Sequence, residues 1–204
     1  KFDHKHLIVF TKYPEVGKVK TSLIPKLGPE GASEIHSTLV KHTLHEAKLL
    51  QTAKSIEVAV CYSGGDENLM EEWLGKNVSY IPQSDGDLGS RLSLAFENAF
   101  SNHSEGVIII DSNCPDLDFK LLKDAFDALE YNDVVLGPTN DGGYYLIGLR
   151  GAIPELFKNI EWGTEEVFNK TLRVAKDLDL YTFLLKPLDT IDSSGNIEIF
   201  NRVQ

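Results

Sequence analysis

Cysteine is scarce in this chain. Cys61 and Cys114 are the only two among 204 residues, and they stand far apart with no zinc-site spacing. Two such residues make no disulfide framework, so reduced thiols in or near a core are expected. Long apolar runs are lacking as well, and none approaches the length of a membrane span. Leu7-Ile8-Val9-Phe10 is too short for the apolar region of a signal peptide and leads into charged residues, which makes a cytoplasmic location the default expectation. Positive charge is in deficit, with 20 Lys and Arg against 31 Asp and Glu and a net charge of −11. An acidic surface repels nucleic-acid phosphates and anionic lipid, so neither a nucleic-acid nor a membrane partner is expected. Of six histidines only His42 and His45, three apart on an expected helix, show a spacing that metal sites use, and no Ser/His/Asp or Cys/His order points to nucleophilic catalysis. No repeat, low-complexity tract or Pro/Gly/Ser linker divides the chain, so residues 1–204 read as a single domain.

What is present is a globular composition, 42% apolar and 25% charged, in a chain long enough to bury a good core. Short apolar runs alternate with longer amphipathic segments. Strands are expected at Leu7–Phe10, Ile56–Cys61, Val78–Ile81, Val107–Ile110, Asp133–Leu136, Tyr144–Leu149 and Tyr181–Leu185. Helical spacing covers Glu30–Gln51, Glu67–Leu74, Leu88–Asn102, Phe119–Glu130 and Thr164–Asp177. This alternation predicts an α/β fold with a mixed, mostly parallel sheet of about seven strands flanked by helices. Ligands of such sheets bind beyond the carboxyl ends of the strands, so the polar segments that follow strands are the informative ones.

Five such segments stand out. Phe10 to Thr21 follows the first strand and carries Lys12, Gly17, Lys18, Lys20 and Thr21. Its backbone N–H groups near Gly17 and its ammonium groups suit a polyphosphate, although the Walker spacing is absent and a solvated surface loop has the same composition. Gln83 to Leu92 holds glycines for a turn and Asp85 or Asp87 to cap the next helix, with Arg91 placed to reach a phosphate or carboxylate. After the most apolar strand come Asp111-Ser112-Asn113. If the strand geometry persists, Asp111 and Asn113 share a face and offer two oxygen donors to Mg²⁺, whereas helix-entry turn chemistry explains the same residues. Gly137 to Gly148 contains Asp141-Gly142-Gly143-Tyr144, which reads as a hairpin turn or as the lining of a sugar or acceptor pocket. Leu188 to Asp192 ends in Asp192, either a further metal-binding carboxylate or a solvated loop acid.

In this order, and over essentially the whole chain, the five segments resemble the radical-SAM/selenodomain-associated transferases, or arsenosugar-type glycosyltransferases, of the nucleotide-diphospho-sugar transferase superfamily. The matching stretches are Phe10 to Leu23, Gly86-Asp87-Leu88-Gly89-Ser90-Arg91, Gly137 to Gly148, Trp162-Gly163-Thr164 and Asp189 to Ser193. The resemblance implies a glycosyltransferase-A-like fold. It places Lys12, Gly17, Lys20 and Thr21 on the nucleotide, joined by Arg91, and a divalent cation, Mg²⁺ or Mn²⁺, near position 113 with Asp192 as a second acidic ligand. Two positions depart from the pattern: Ser22 stands where the family has arginine, and Asn113 where it has the metal-binding aspartate. Asp111, two residues earlier, supplies a carboxylate instead.

The implied reaction is glycosyl transfer from a nucleotide-sugar to a small-molecule acceptor, with metal-assisted departure of the diphosphate. Asp141 is the candidate general base, and Gly142, Gly143, Tyr144 and Trp162 the candidate acceptor or sugar pocket. Nucleotidyl transfer from a nucleoside triphosphate to a phosphorylated small molecule is the alternative, and a catalytically lapsed nucleotide-binding module is the third.

Overall fold

A computed structural model describes residues 4–53 and 55–191. Seven strands form one sheet: β1 (Lys5–Lys12), β2 (Ile56–Ser63), β3 (Ser79–Pro82), β4 (Gly106–Ile110), β5 (Val134–Pro138), β6 (Tyr144–Leu149) and β7 (Thr182–Leu184). Their order across the sheet is β3-β2-β1-β4-β6-β5-β7. Only β6 runs against its neighbours, β4 and β5, and the other pairings are parallel. The expected mixed, mostly parallel sheet is therefore the one observed.

The central strands are apolar on both faces because helices cover both, whereas the edge strands β3 and β7 are largely exposed. Along β1, Leu7 and Val9 join one buried cluster while Ile8 and Phe10 join another. Along β4, Ile108 and Ile110 fall on the first side and Val107 and Ile109 on the second, as the two-residue period of a strand requires. Helices α1 (Ile24–Ala53), α2 (Glu67–Leu74) and α4 (Phe119–Leu129) contribute Leu44, Met70 and Phe126 to the first cluster. Helices α3 (Leu88–Ser101) and α5 (Val167–Asp177) contribute Phe96 and Ala175 to the second. Both cysteines are buried and neither is in a disulfide. Burial raises the Cys61 thiol to about 12, with Arg91 opposing the shift, so it stays protonated.

The helix boundaries differ from the sequence pattern where local geometry intervenes. The first helix starts before Glu30 because a turn from Ile24 is joined to the main helix across Gly28, whose φ of 76° and ψ of 165° are non-helical. Pro29 then opens the long run, at the position where its fixed φ helps and its missing N–H costs nothing. Two short 3₁₀ helices, Thr21–Leu23 and Pro154–Phe157, were too short to show a period. The last helix begins at Val167, so Trp162 to Glu166 form turns rather than a helical end.

Chain order explains where a ligand site must open. From β1 the chain moves outward through β2 to β3, then crosses back to place β4 on the other side of β1. The carboxyl ends of β1 and β4 therefore diverge into different loops, and a crevice forms between them.

Candidate active site

The crevice is a cavity of about 460 Å³ walled by Lys12, Lys18, Lys20, Arg91, Asp111 and Asn113, among others. Four cations thus converge on one hollow of an otherwise acidic protein. Lys12 is the last residue of β1. Lys20 takes a left-handed backbone (φ 50°) just ahead of the Thr21–Leu23 turn. Its ammonium donates to Asn113 Oδ1. Lys18 pairs with Glu15 at 3.1 Å. Thr21 and Ser22 line the same cavity. Gly17 does not; its role is conformational, since its φ of 87° lies where side chains other than glycine are strained and nothing crowds its missing Cβ.

Arg91 projects from the first turn of α3, which Asp87 caps by accepting from the Ser90 N–H at 2.8 Å. The guanidinium donates to Gln83 Oε1 at 2.5 Å. The Gln83 amide in turn donates to the carbonyls of Thr11 and Cys61. This chain of bonds fixes a cation at the cavity wall and ties β1, β2 and α3 together. Beneath the wall lies His36, 6% exposed, with its Nε2 2.8 Å from the Lys12 carbonyl and its ring stacked on Trp73. Burial depresses its pKa to about 4, with Lys20 and Lys12 adding repulsion. Neither Gln83 nor His36 was singled out from the sequence; a histidine without metal spacing gives no signal of a neutral ring under a cationic hollow.

Asp111 and Asn113 are brought together, but not as strand neighbours. β4 ends at Ile110, and the Asn113 N–H donates to Asp111 Oδ1 at 3.1 Å, so the chain turns and the Asp111 side chain closes the turn. Of the two readings of residues 111–113, the turn is therefore the one observed, and the extended strand is not. The Thr11 and Ser112 hydroxyls, both buried, lie 3.2 Å apart and lock this turn to the end of β1. Among the described residues no three His, Cys, Asp or Glu side chains converge as a metal cluster. Asp192 lies outside the described residues.

On the far side of Asp111 is a second cavity of about 320 Å³, walled by Asp111, Asp141, Tyr144, Trp162, Glu165 and Thr190, among others. Asp111 and Leu88 line both hollows. Asp141 sits in the turn of the β5–β6 hairpin, so the Asp-Gly-Gly stretch is both a hairpin turn and a cavity wall. Its Oδ1 accepts from the Thr139 hydroxyl and more weakly from the Gly143 N–H at 3.4 Å, and its Oδ2 accepts from Thr190 at 3.3 Å. Gly143 lines the cavity, whereas Gly142 supports it from behind. A Cβ on Gly142 would meet the Glu165 carbonyl at 2.1 Å, and its φ is 94°. Close approach to residues 162–166 is thus the reason for glycine there. Tyr144 and Trp162 meet edge to face with centroids 6.4 Å apart. Burial raises the Tyr144 phenol well above its usual range, so it stays protonated.

The late segment knits these pieces. Ile191 N–H donates to the Asn113 carbonyl at 2.8 Å, and the Asn140 side chain donates to Asp189 at 2.7 Å. Leu188 N–H donates to the Pro138 carbonyl at 3.1 Å. Residues 188–191 therefore join the hairpin turn to the turn after β4, a pairing that sequence spacing does not reveal.

A family model described as "Uncharacterized protein conserved in bacteria (DUF2064)" matches residues 46–164. A protein of Desulfovibrio desulfuricans G20, provisionally described as a nucleotide-diphospho-sugar transferase, is 31% identical over 93% of this chain and 82% of its own, with a TM-score of 0.85. The fold is shared at lower identity with 4-diphosphocytidyl-2C-methyl-D-erythritol synthase from Anaerococcus prevotii DSM 20548 (15%, TM-score 0.62, 97% of this chain and 95% of that one). It is shared as well with CMP:2-keto-3-deoxy-manno-octonic acid synthetase in complex with CTP (12%, TM-score 0.57, 97% of both chains). No curated protein matches the sequence. No described helix is long and apolar enough to cross a membrane.

Proposed function

From the premise that the chain belongs to the DUF2064 family of bacterial proteins, we propose that it transfers a glycosyl group from a nucleotide-diphospho-sugar to a small-molecule acceptor. The observation that carries this reading is the pair of cavities meeting at Asp111, the first walled by Lys12, Lys18, Lys20 and Arg91 and the second free of them. The diphosphate belongs with the ammonium and guanidinium groups, which make charge-assisted bonds to phosphate oxygens. The activated sugar then lies near Asp111, with the acceptor entering from the second cavity. In the reaction the acceptor hydroxyl forms a C–O bond at the anomeric carbon and releases its proton to a carboxylate, for which Asp141 is the candidate. The bond from that carbon to the diphosphate oxygen breaks, and its electron pair leaves with the nucleoside diphosphate. The four cations stabilise the charge that gathers on the leaving group, a purely electrostatic contribution.

The donor set fits a divalent cation in a reduced form. Mg²⁺ and Mn²⁺ bound with a nucleotide take most of their ligands from phosphates and water and need one or two carboxylates from the protein. Asp111 offers one. Asn113 Oδ1 already accepts from the Lys20 ammonium, so a cation on that oxygen would face a positive neighbour. Asp111 is thus the described residue that would hold the ion, and the ion would supply neutralisation of the departing diphosphate.

Nucleotidyl transfer is the second reading, favoured by the fold shared with cytidyl-transferring enzymes. Incubation with a panel of nucleotide-sugars and nucleoside triphosphates separates the readings. Release of nucleoside diphosphate supports glycosyl transfer, and release of pyrophosphate supports nucleotidyl transfer. Nucleotide binding with neither product identifies a lapsed module and sinks both.

A further inference from the structure

We infer that the second cavity accepts an uncharged or cationic polyhydroxyl compound, such as a sugar or amino sugar, and excludes phosphate monoesters. This rests on the proposed reading of the first cavity as the nucleotide site. The two hollows differ sharply in charge although they share the Asp111 wall. The first has three lysines and Arg91. Among its described lining residues the second has three carboxylates, Asp111, Asp141 and Glu165, and no lysine or arginine. A phosphate monoester carries close to two negative charges near neutral pH. Placed beside Asp141 and Glu165, with no lysine or arginine in the wall, it meets like charge that an ion on Asp111 would offset only in part, which costs binding rather than supporting it. Hydroxyl groups have the opposite match, because ionised carboxylates only accept and hydroxyls donate.

The remaining walls fit the same occupant. Tyr144 and Trp162 form an edge-to-face aromatic pair lining the cavity, a surface suited to the C–H face of a sugar ring. Thr139 and Thr190 hold both Asp141 oxygens in place, so that carboxylate is a fixed acceptor rather than a solvated side chain. A cavity of about 320 Å³ suits a ligand of monosaccharide size.

A pocket built for phosphorylated acceptors needs a cation where this one has Glu165 and Asp141, so the charge pattern weighs against nucleotidyl transfer to a sugar phosphate.

Quenching of Trp162 emission in Trp73→Phe protein tests this, with Trp73 removed as the only other tryptophan. The full chain is first saturated with nucleoside diphosphate, which is measured separately by calorimetry. Methyl glucoside, glucosamine and glucose 6-phosphate are then compared at equal concentration. The expected result is quenching by the first two, with glucose 6-phosphate weaker by about tenfold or more. Glu165→Lys is expected to narrow or reverse that preference. Saturation-transfer NMR on the unaltered chain gives the same comparison if Trp73→Phe does not fold. Equal or tighter binding of glucose 6-phosphate overturns the inference, as does absence of binding by all three. Failure of the calorimetric step alone, with methyl glucoside or glucosamine still bound, counts against the nucleotide reading and leaves the acceptor class standing.

Discussion

Lys20 and Asn113 define the chemistry of the site at the residue scale. A side-chain amide in place of a carboxylate offers one neutral oxygen, and here the Lys20 ammonium takes it. On the proposed reading this ammonium meets the phosphates, so Lys20→Ala should weaken nucleoside diphosphate binding by about tenfold to a hundredfold, as expected for loss of a hydrogen bond to a charged group worth ~1.5–3 kcal/mol. Calorimetry measures this. An unchanged affinity would remove Lys20 from the site. Asn113→Asp should make binding more dependent on Mg²⁺, because a carboxylate then competes for the cation.

His36 gives a second prediction of this kind. Its pKa falls from 6.5 to about 4 on folding, chiefly through burial. The unfolded chain therefore binds the proton more readily. Stability from this residue is complete above pH 6.5 and is lost as the pH falls toward 4, by up to about 3 kcal/mol. Urea unfolding from pH 7 to 4 should show a shallower decline for His36→Phe than for the unaltered chain. Parallel curves would refute the assignment. The lysine-rich loop and the Asp111 turn were visible in the sequence because they follow strands directly. His36 and Gln83 were not, since their importance comes from what folds against them.

Each element has a local cause that can be tested in isolation. The long first helix bends at Gly28, where φ 76° and ψ 165° belong to a region reserved for glycine. Nothing lies within 4 Å of a Cβ built there. Gly28→Ala should thus cost about 1–3 kcal/mol through backbone strain alone, read as a lower urea midpoint with unchanged slope. No loss would mean that the bend relaxes. Asp118 caps α4 by accepting from the Leu121 N–H at 2.9 Å, and Asp118→Ala should cost about 1 kcal/mol.

Strands and long helices were legible because burial imposes a period on them. The helical turn ahead of Gly28 was not, because residues 24–27 are too few to show a period. The Thr21–Leu23 and Pro154–Phe157 turns, each less than two turns of helix, leave no period to read. Gly89 hides its function in the same way. A Cβ there would lie 2.5 Å from the Phe157 carbonyl and 2.9 Å from Trp162 Nε1, so α3 and the Trp162 turn pack through a gap that only the folded chain reveals.

At the scale of the whole molecule, the crossing from β3 back to β4 creates the crevice, and two polar hollows meet there. Alternation of strands and helices was enough to foresee the mixed, mostly parallel sheet. The partition of charge between the hollows was not, since Glu165 and Thr190 join the second cavity from segments remote in sequence from Asp111 and Asp141. With a net charge of −11, the proposed nucleotide site at Lys12, Lys18, Lys20 and Arg91 would attract its ligand against a repelling background. Binding should therefore weaken as salt is raised, because the partly exposed cations are screened over about 8 Å at physiological ionic strength.

The most direct test is a calorimetric titration of the full chain with a panel of nucleoside diphosphates, with and without Mg²⁺, alongside a Lys12→Ala, Lys20→Ala double variant. Saturable one-to-one binding of at least one diphosphate, lost in the double variant, is the predicted result. Absence of binding across the panel, or binding that the double variant retains in full, would contradict the assignment of the β1–β4 crevice as a nucleotide site.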